Sequence, residues 1–107
     1  MIENVIIGTD KKLLVSIDPV GNEDIPQSNI TVEYFCSESA IVTIKGTDLK
    51  YSNDDSAYIV PIYTSRVGCG KLKCRVTVSL PDDAFENGTR SEIYEFVTGI
   101  NIVPKLK

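Results

Sequence analysis

Polar and apolar residues alternate along most of this chain, most clearly in KLKCRVTVSL, residues 71–80. Leu72, Cys74, Val76, Val78 and Leu80 fall on one face, and Lys71, Lys73, Arg75, Thr77 and Ser79 on the other. A period of two belongs to a strand, so the segment predicts a half-buried antiparallel strand with one wet face. NITVEYFC (29–36) repeats the pattern, with Ile30, Val32, Tyr34 and Cys36 inward and Phe35 pointing the other way. KLLVSID (12–18) groups Leu13, Val15 and Ile17. AIVTIKG (40–46) is rich in β-branched residues and predicts a strand without choosing its buried face. AYIVPIY (57–63) is a further strand, and Pro61 argues for an edge position or a bulge there. Residues 3–8 are the other candidate edge strand. EIYEFVTG and INIV (92–103) close the chain, with Gly99 marking a kink or bulge between two short strands.

Turn-forming clusters separate these runs: PVGNED at 19–24, SES at 37–39, YSNDDS at 51–56, VGCG at 67–70 and PDDAFENGT at 81–89. At most one helical turn fits, in DDAFEN, where Asp82 or Asp83 would cap it. About seven short strands, spaced about ten residues apart, predict an all-β sandwich or small barrel. At 107 residues, without a linker, repeat or low-complexity tract, the chain reads as one domain over 1–107.

Charge narrows the functional classes. The formal net charge is −4 and the pI is near 4.7. The largest basic cluster is the three-residue stripe Lys71, Lys73 and Arg75. Nucleic-acid binders draw most of their affinity from phosphate contacts, so this balance argues against one. No apolar run approaches the length of a membrane span, and mean hydropathy is −0.01, so no membrane partner is expected. Histidine is absent, which removes the commonest general base and metal ligand at neutral pH and argues against an enzyme. The three cysteines are an odd set, and MIENVIIGTD has neither a basic nor a long apolar leader region. Together they suggest a reducing cytosol, where the sequons at Asn29 and Asn87 carry no glycan.

The remaining candidates each have a plain structural alternative. Cys69 and Cys74 lack the paired spacing of zinc sites. Cys36 and Cys74 are both read as facing the core, either as buried free thiols, the favoured reading, or as partners across two sheets. Cys69, between two glycines, is the exposed thiol. The acids of Asp54-Asp55 and of Asp82-Asp83 with Glu86 match no calcium loop, so no metal or cofactor is expected. Asp83 and Glu92 as an acid/base pair would need a cleft that so short a sandwich has little room for. The stripe of Lys71, Lys73 and Arg75 is either a solvated strand face or a docking stripe for an acidic partner. Tyr51 and Tyr58 flank an acidic loop and suit a recognition surface, or the cover of a sheet end.

The segment GCGKLKCRVTVSLPDDAFENGTRSEIYEFVTGINIV, Gly68–Val103, has a cadence of its own. A Gly-x-Gly-x-Leu start leads into an alternating strand, then Pro-Asp-x-x-Phe-x-x-Gly-x-Arg and a strand ending in Thr-Gly-Ile. This resembles the immunoglobulin-like modules in small virion proteins of tailed phages of gut bacteria, crAss-like phages among them, and the N-terminal modules of phage fibre and baseplate proteins. The resemblance covers about a third of the chain and implies an immunoglobulin-like antiparallel β-sandwich of about seven strands. It also implies a non-enzymatic virion protein assembled in the host cytoplasm, an auxiliary (decoration) protein bound to the major capsid protein or other virion proteins. Self-association on the lattice is left open. An adaptor of a head fibre, tail or baseplate is the alternative. A further one is a host-surface glycan-binding module using Tyr51, Tyr58 and Asn53-Asp54-Asp55. By the same resemblance Pro81, Phe85 and Gly88 shape the loop, with Phe85 its hydrophobic anchor. Arg90 would then bond loop carbonyls or pair with Asp82 or Asp83.

Overall fold

The computed structural model describes residues 2–17 and 27–106, so the turn expected at 19–24 and the end of the strand expected over 12–18 lie outside the described residues. Eight strands form: β1 (Glu3–Ile6), β2 (Asp10–Val15), β3 (Ile30–Phe35), β4 (Ile41–Lys45), β5 (Lys50–Ser52), β6 (Ala57–Tyr63), β7 (Gly70–Pro81) and β8 (Thr89–Val103). They make a five-stranded sheet in the order β1-β8-β7-β3-β4 and a three-stranded sheet in the order β2-β6-β5. The chain is an all-β sandwich, as the alternation predicts. Every pairing is antiparallel except that of β1, which runs parallel to the end of β8 from Glu3↔Ile100 to Ile6↔Val103. β5 is absent from the pattern because three residues show no periodicity; its pairing with Ala57–Ile59 makes it a strand.

The two sheets meet over the inward residues of β3 and β7. Ile30, Val32, Tyr34, Leu72, Cys74, Val76, Val78 and Leu80 are all buried, and Val15, Val60 and Ile62 face them from the other sheet. Ile100, Ile102 and Val5 close the core beneath β1. Two polar ties lock this packing. The Tyr34 hydroxyl accepts the N–H of Tyr63 at 3.1 Å, joining the centre of one sheet to the end of the other. Thr64, fully buried, accepts the Gly8 N–H and donates to the Thr9 carbonyl, both at 2.8 Å. Its hydroxyl thereby pins the β1–β2 turn to the end of β6. At Gly46 a Cβ would lie 1.9 Å from the Gln27 carbonyl oxygen, so only glycine lets these backbone segments cross.

Two expectations change, and for the cysteines the favoured reading of free thiols holds while the alternative pairing is excluded. The strand carrying Pro61 is not an edge: β6 is the middle of its sheet. β5 reaches only as far as Ile59, however, so at Pro61 the strand has β2 alone beside it, opposite Lys12, and one flank is open. The two inward cysteines cannot face one another across the sandwich, because β3 and β7 are neighbours in one sheet, with Tyr34 opposite Cys74. All three cysteines are free. The break expected at Gly99 is a bulge inside one continuous strand. The register passes from Lys71↔Asn101 to Lys73↔Val97, so three residues of β8 oppose Leu72 alone. Gly99 takes φ +86°, Thr98 Oγ1 donates to the Leu72 carbonyl at 3.0 Å, and Thr98 Oγ1 in turn accepts the Ile100 N–H at 3.2 Å.

Thr64→Val keeps the shape of the side chain but strands the Gly8 N–H and the Thr9 carbonyl. The expected loss is about 2 kcal/mol, set by the cost of unpaired buried polar groups. Thr64→Ser should retain most of the wild-type stability, and urea unfolding midpoints of the two variants provide the check.

Candidate interaction surface

The outer face of the five-stranded sheet carries the basic stripe, and register sets its neighbours. Rows of side chains cross the sheet from β4 to β8: Ile41, Phe35, Lys73, Val97; then Thr43, Glu33, Arg75, Glu95; then Lys45, Thr31, Thr77, Ile93. Arg75 lies inside a carboxylate cluster. Its Nε donates to Glu95 Oε2 at 3.1 Å, Nη2 to Glu38 Oε1 at 3.0 Å, and Nη1 is 3.7 Å from Glu33 Oε1. Hydrogen bonds donated to Glu95, then to Glu38, raise its pKa further. The guanidinium also sits 4.8 Å from the centre of the Phe35 ring, which is outward-facing and still buried. With three acids around it, the stripe is a neutral mosaic. Within the stripe, Lys71, exposed, and Lys73, half-buried, form no ion pair among the described residues.

The tyrosine candidates lie on the other sheet. Tyr51 and Tyr58 are a cross-strand pair with ring centroids 5.1 Å apart, edge to face. Tyr58 shares its face with Val60 and Ile62 and packs against the core, so Tyr51 is the exposed member at the rim. The structure therefore brings the tyrosines together with each other and separates them from Lys71, Lys73 and Arg75. In the neighbouring acidic loop the Ser52 hydroxyl donates to Asp55 Oδ2 at 2.8 Å.

The β7–β8 hairpin is built around Asp82. Its Oδ1 accepts the Ala84 N–H at 3.0 Å, its Oδ2 accepts Arg90 Nη1 at 2.9 Å, and its own N–H donates to the Gly88 carbonyl at 2.8 Å. This is a side-chain-capped turn rather than a turn of helix. Arg90 pairs with Asp82 and not Asp83, and its Nε donates to Glu92 Oε1 at 3.3 Å. The Tyr94 hydroxyl donates to the other Glu92 oxygen. The Tyr94 hydrogen bond first, and Arg90 after it, hold Glu92 below the usual carboxylate range. Glu92 is thus kept ionised, the opposite of what a general acid needs. Phe85 is not the anchor the resemblance implies: its ring is half exposed, and the loop is held instead by the Phe85 N–H to Asp82 and the Gly88 N–H to Phe85.

The surface that sequence reasoning missed is β8 itself. Ile93 (63 % exposed) and Val97 (62 %) stand on the outer face; Tyr94 (51 %) and Phe96 (39 %) stand on the inner face, opposite Val76 and Cys74. The signal was present, because Ile93, Tyr94, Phe96 and Val97 occupy both parities, the pattern of a strand covered on both faces. The three-stranded sheet stops short of this arm, which leaves Tyr94 and Phe96 half exposed on the inner face; Ile93 and Val97 are exposed on the outer face, which no strand covers among the described residues. The exposed apolar side chains thus form two pairs, Ile93 with Val97 on one face of β8 and Tyr94 with Phe96 on the other. No family model, curated protein or solved structure matches the chain.

Two outcomes follow for this region. The Ala84 N–H, then Arg90, lower the Asp82 pKa, and Glu92 is lowered as described. Both folded values lie beneath the unfolded ones near about 4. The stability these groups lend is therefore full above that pH and is lost as pH falls through the lowered values. Asp82→Asn should reduce the urea midpoint at neutral pH and flatten its decline in acid, measured across a pH series. Among the thiols, Cys69 is exposed, Cys36 is half-buried with its Sγ donating to the Gly68 and Gly70 carbonyls at 3.5 Å, and burial pushes Cys74 up to about 11. Iodoacetamide at mildly alkaline pH should label Cys69 first, Cys36 slowly and Cys74 only on unfolding, read by peptide mass spectrometry.

Proposed function

We propose that this chain is a non-enzymatic structural protein of a phage virion, an auxiliary protein bound to the capsid surface. The observation that carries the reading is a coincidence of sequence and surface. The segment resembling virion modules, Gly68–Val103, carries the β7–β8 hairpin, and that hairpin leaves Ile93 and Val97 exposed on its outer face and Tyr94 and Phe96 exposed on its inner face. A module that works by being held in an assembly needs an apolar docking surface of this kind.

The strand order supports the immunoglobulin-like part of the proposal. β8-β7-β3-β4 matches the sequence G-F-C-C′ of a variable-type immunoglobulin sheet, and β2-β6-β5 matches B-E-D of its partner. Tyr34, a large aromatic buried on the third strand, is consistent with the buried aromatic that immunoglobulin domains carry on strand C. The chain departs from that pattern in having no bond between the strands equivalent to B and F, which suits assembly in a reducing cytoplasm. On a capsid, many equivalent sites would multiply a modest interface, so one hairpin surface per copy is sufficient for retention.

Quantitative mass spectrometry of purified particles tests the proposal by counting copies of this chain against the major capsid protein. A copy number comparable to the number of capsid lattice sites is the expected result. A small fixed number per particle would replace decoration with an adaptor at the portal, tail or baseplate. Absence from particles would overturn the virion reading.

A further inference from the structure

We infer that β8 is a self-association edge, and that two copies of this chain pair their β8 strands antiparallel about a two-fold axis through Ile93, joining two five-stranded sheets into one. The inference rests on the open edge and stands apart from the virion reading.

The hydrogen-bond phase of the edge follows from the hairpin. In an antiparallel ladder, directly opposite residues alternate between pairs that exchange N–H···O bonds and pairs that do not. The Asp82 N–H bonds the Gly88 carbonyl, so Asp82 and Gly88 are a bonded pair. Counting along the unbroken register from Pro81↔Thr89 to Lys73↔Val97, residues 89, 91, 93, 95 and 97 are the unbonded partners. Their N–H and C=O groups point away from β7. At the far end β1 occupies the same side of β8, from Ile100 to Val103. Between the Gly99 bulge and the hairpin turn, no described strand takes these groups.

Natural sheets blunt such edges with lysine, proline, bulges or brevity. The other free edges here follow that rule: β1 has four residues, β2 carries Lys11 and Lys12, β4 ends in Lys45, and β5 has three residues. The segment TRSEIYEFV, residues 89–97, has neither lysine nor proline, its bulge lies beyond Val97, and its three charges are paired within the chain, Arg90 with Glu92 and Glu95 with Arg75.

Charge pattern selects the occupant and the register. A two-fold at Ile93 sets Ile93 against its own copy, Ser91 against Glu95, and Thr89 against Val97 on the outer face. On the inner face it sets Glu92 against Tyr94 and Arg90 against Phe96. No like charges face each other, a guanidinium meets an aromatic ring, and the outward amides of 89, 91, 93, 95 and 97 all find carbonyls. A two-fold at Glu92 or Glu95 would oppose identical carboxylates, and one at Tyr94 would set Glu95 against Ile93 and Glu92 against Phe96. A two-fold at Ser91 would set Arg90 against Glu92 but aligns only residues 89–93, so the Ile93 register is the one that avoids like charges over the whole of 89–97, and a second copy is the occupant.

Sedimentation velocity of the full chain over a concentration series is the first test, with mass expected to rise from 11.8 kDa toward twice that value. Ile93→Lys places two lysines face to face at the axis, on an exposed outer-face position, and should sediment as a folded monomer at every concentration. Leu14→Lys, at an exposed site on β2, should dimerise like the wild type. Amide hydrogen exchange of the wild type reads the geometry directly. The amides of 91, 93, 95 and 97 should be slow in concentrated solution and fast on dilution. A wild type that stays monomeric, with those amides fast throughout, would overturn the inference and leave the edge to a strand of another protein. A dimer that survives Ile93→Lys, or one that leaves those amides unprotected, would overturn it equally.

Discussion

A three-stranded sheet cannot cover a five-stranded one, and most of this molecule follows from that mismatch. β2, β6 and β5 lie over the inward residues of β3 and β7, where burial is nearly complete. Hydrophobic burial there is the main term holding the fold. Beyond that footprint the inner face of β8 loses its cover, so Tyr94 and Phe96 stand half exposed although they share a face with buried Cys74 and Val76. The long β7–β8 arm gives the molecule its elongated form, 56 × 33 × 24 Å. The candidate surface is thus part of the larger sheet that the smaller sheet does not reach.

Polar groups then decide how the two layers sit. The Tyr34 hydroxyl and the Thr64 hydroxyl each bridge elements far apart in sequence. Within the β8 bulge the Thr98 hydroxyl both donates to Leu72 and accepts from Ile100, replacing ladder bonds lost to the extra residues. That bulge separates two functions of one strand. From Ile100 onward β8 pairs with β1 and closes the core; before Thr98 it pairs with β7 alone. The outward cluster of Arg75 with Glu33, Glu38 and Glu95 sits across three elements and turns a basic stripe into a neutral face.

Strand positions were legible in the sequence wherever alternation was strong. The segment 71–80 reads directly as β7, with every inward residue correct, because burial on one face imposes a period of two. AYIVPIY coincides with β6 residue for residue. β5 was not legible, since three residues carry no period. The edge assignment of Pro61 failed for a related reason: proline reports a missing neighbour at one residue, and β6 lacks one only beyond Ile59. Phe85 misled because an aromatic in a turn implies packing, while the turn is held by Asp82 and backbone bonds.

By itself the sequence determined the all-β class, the inward faces of β2, β3 and β7 and a break near Gly99, while the pairing of Arg90 with Asp82 was one of the alternatives that the resemblance implied. These are local matters, set by side-chain period, glycine conformation and short separation along the chain. Only the tertiary structure decided which strands are neighbours, and with that the separation of Lys71, Lys73 and Arg75 from Tyr51 and Tyr58. It also decided that Cys36 and Cys74 belong to one sheet, and that residues 89–97 keep an open edge. Strand order and sheet overlap depend on contacts between distant residues, and a periodic pattern records that a face is apolar without recording what covers it.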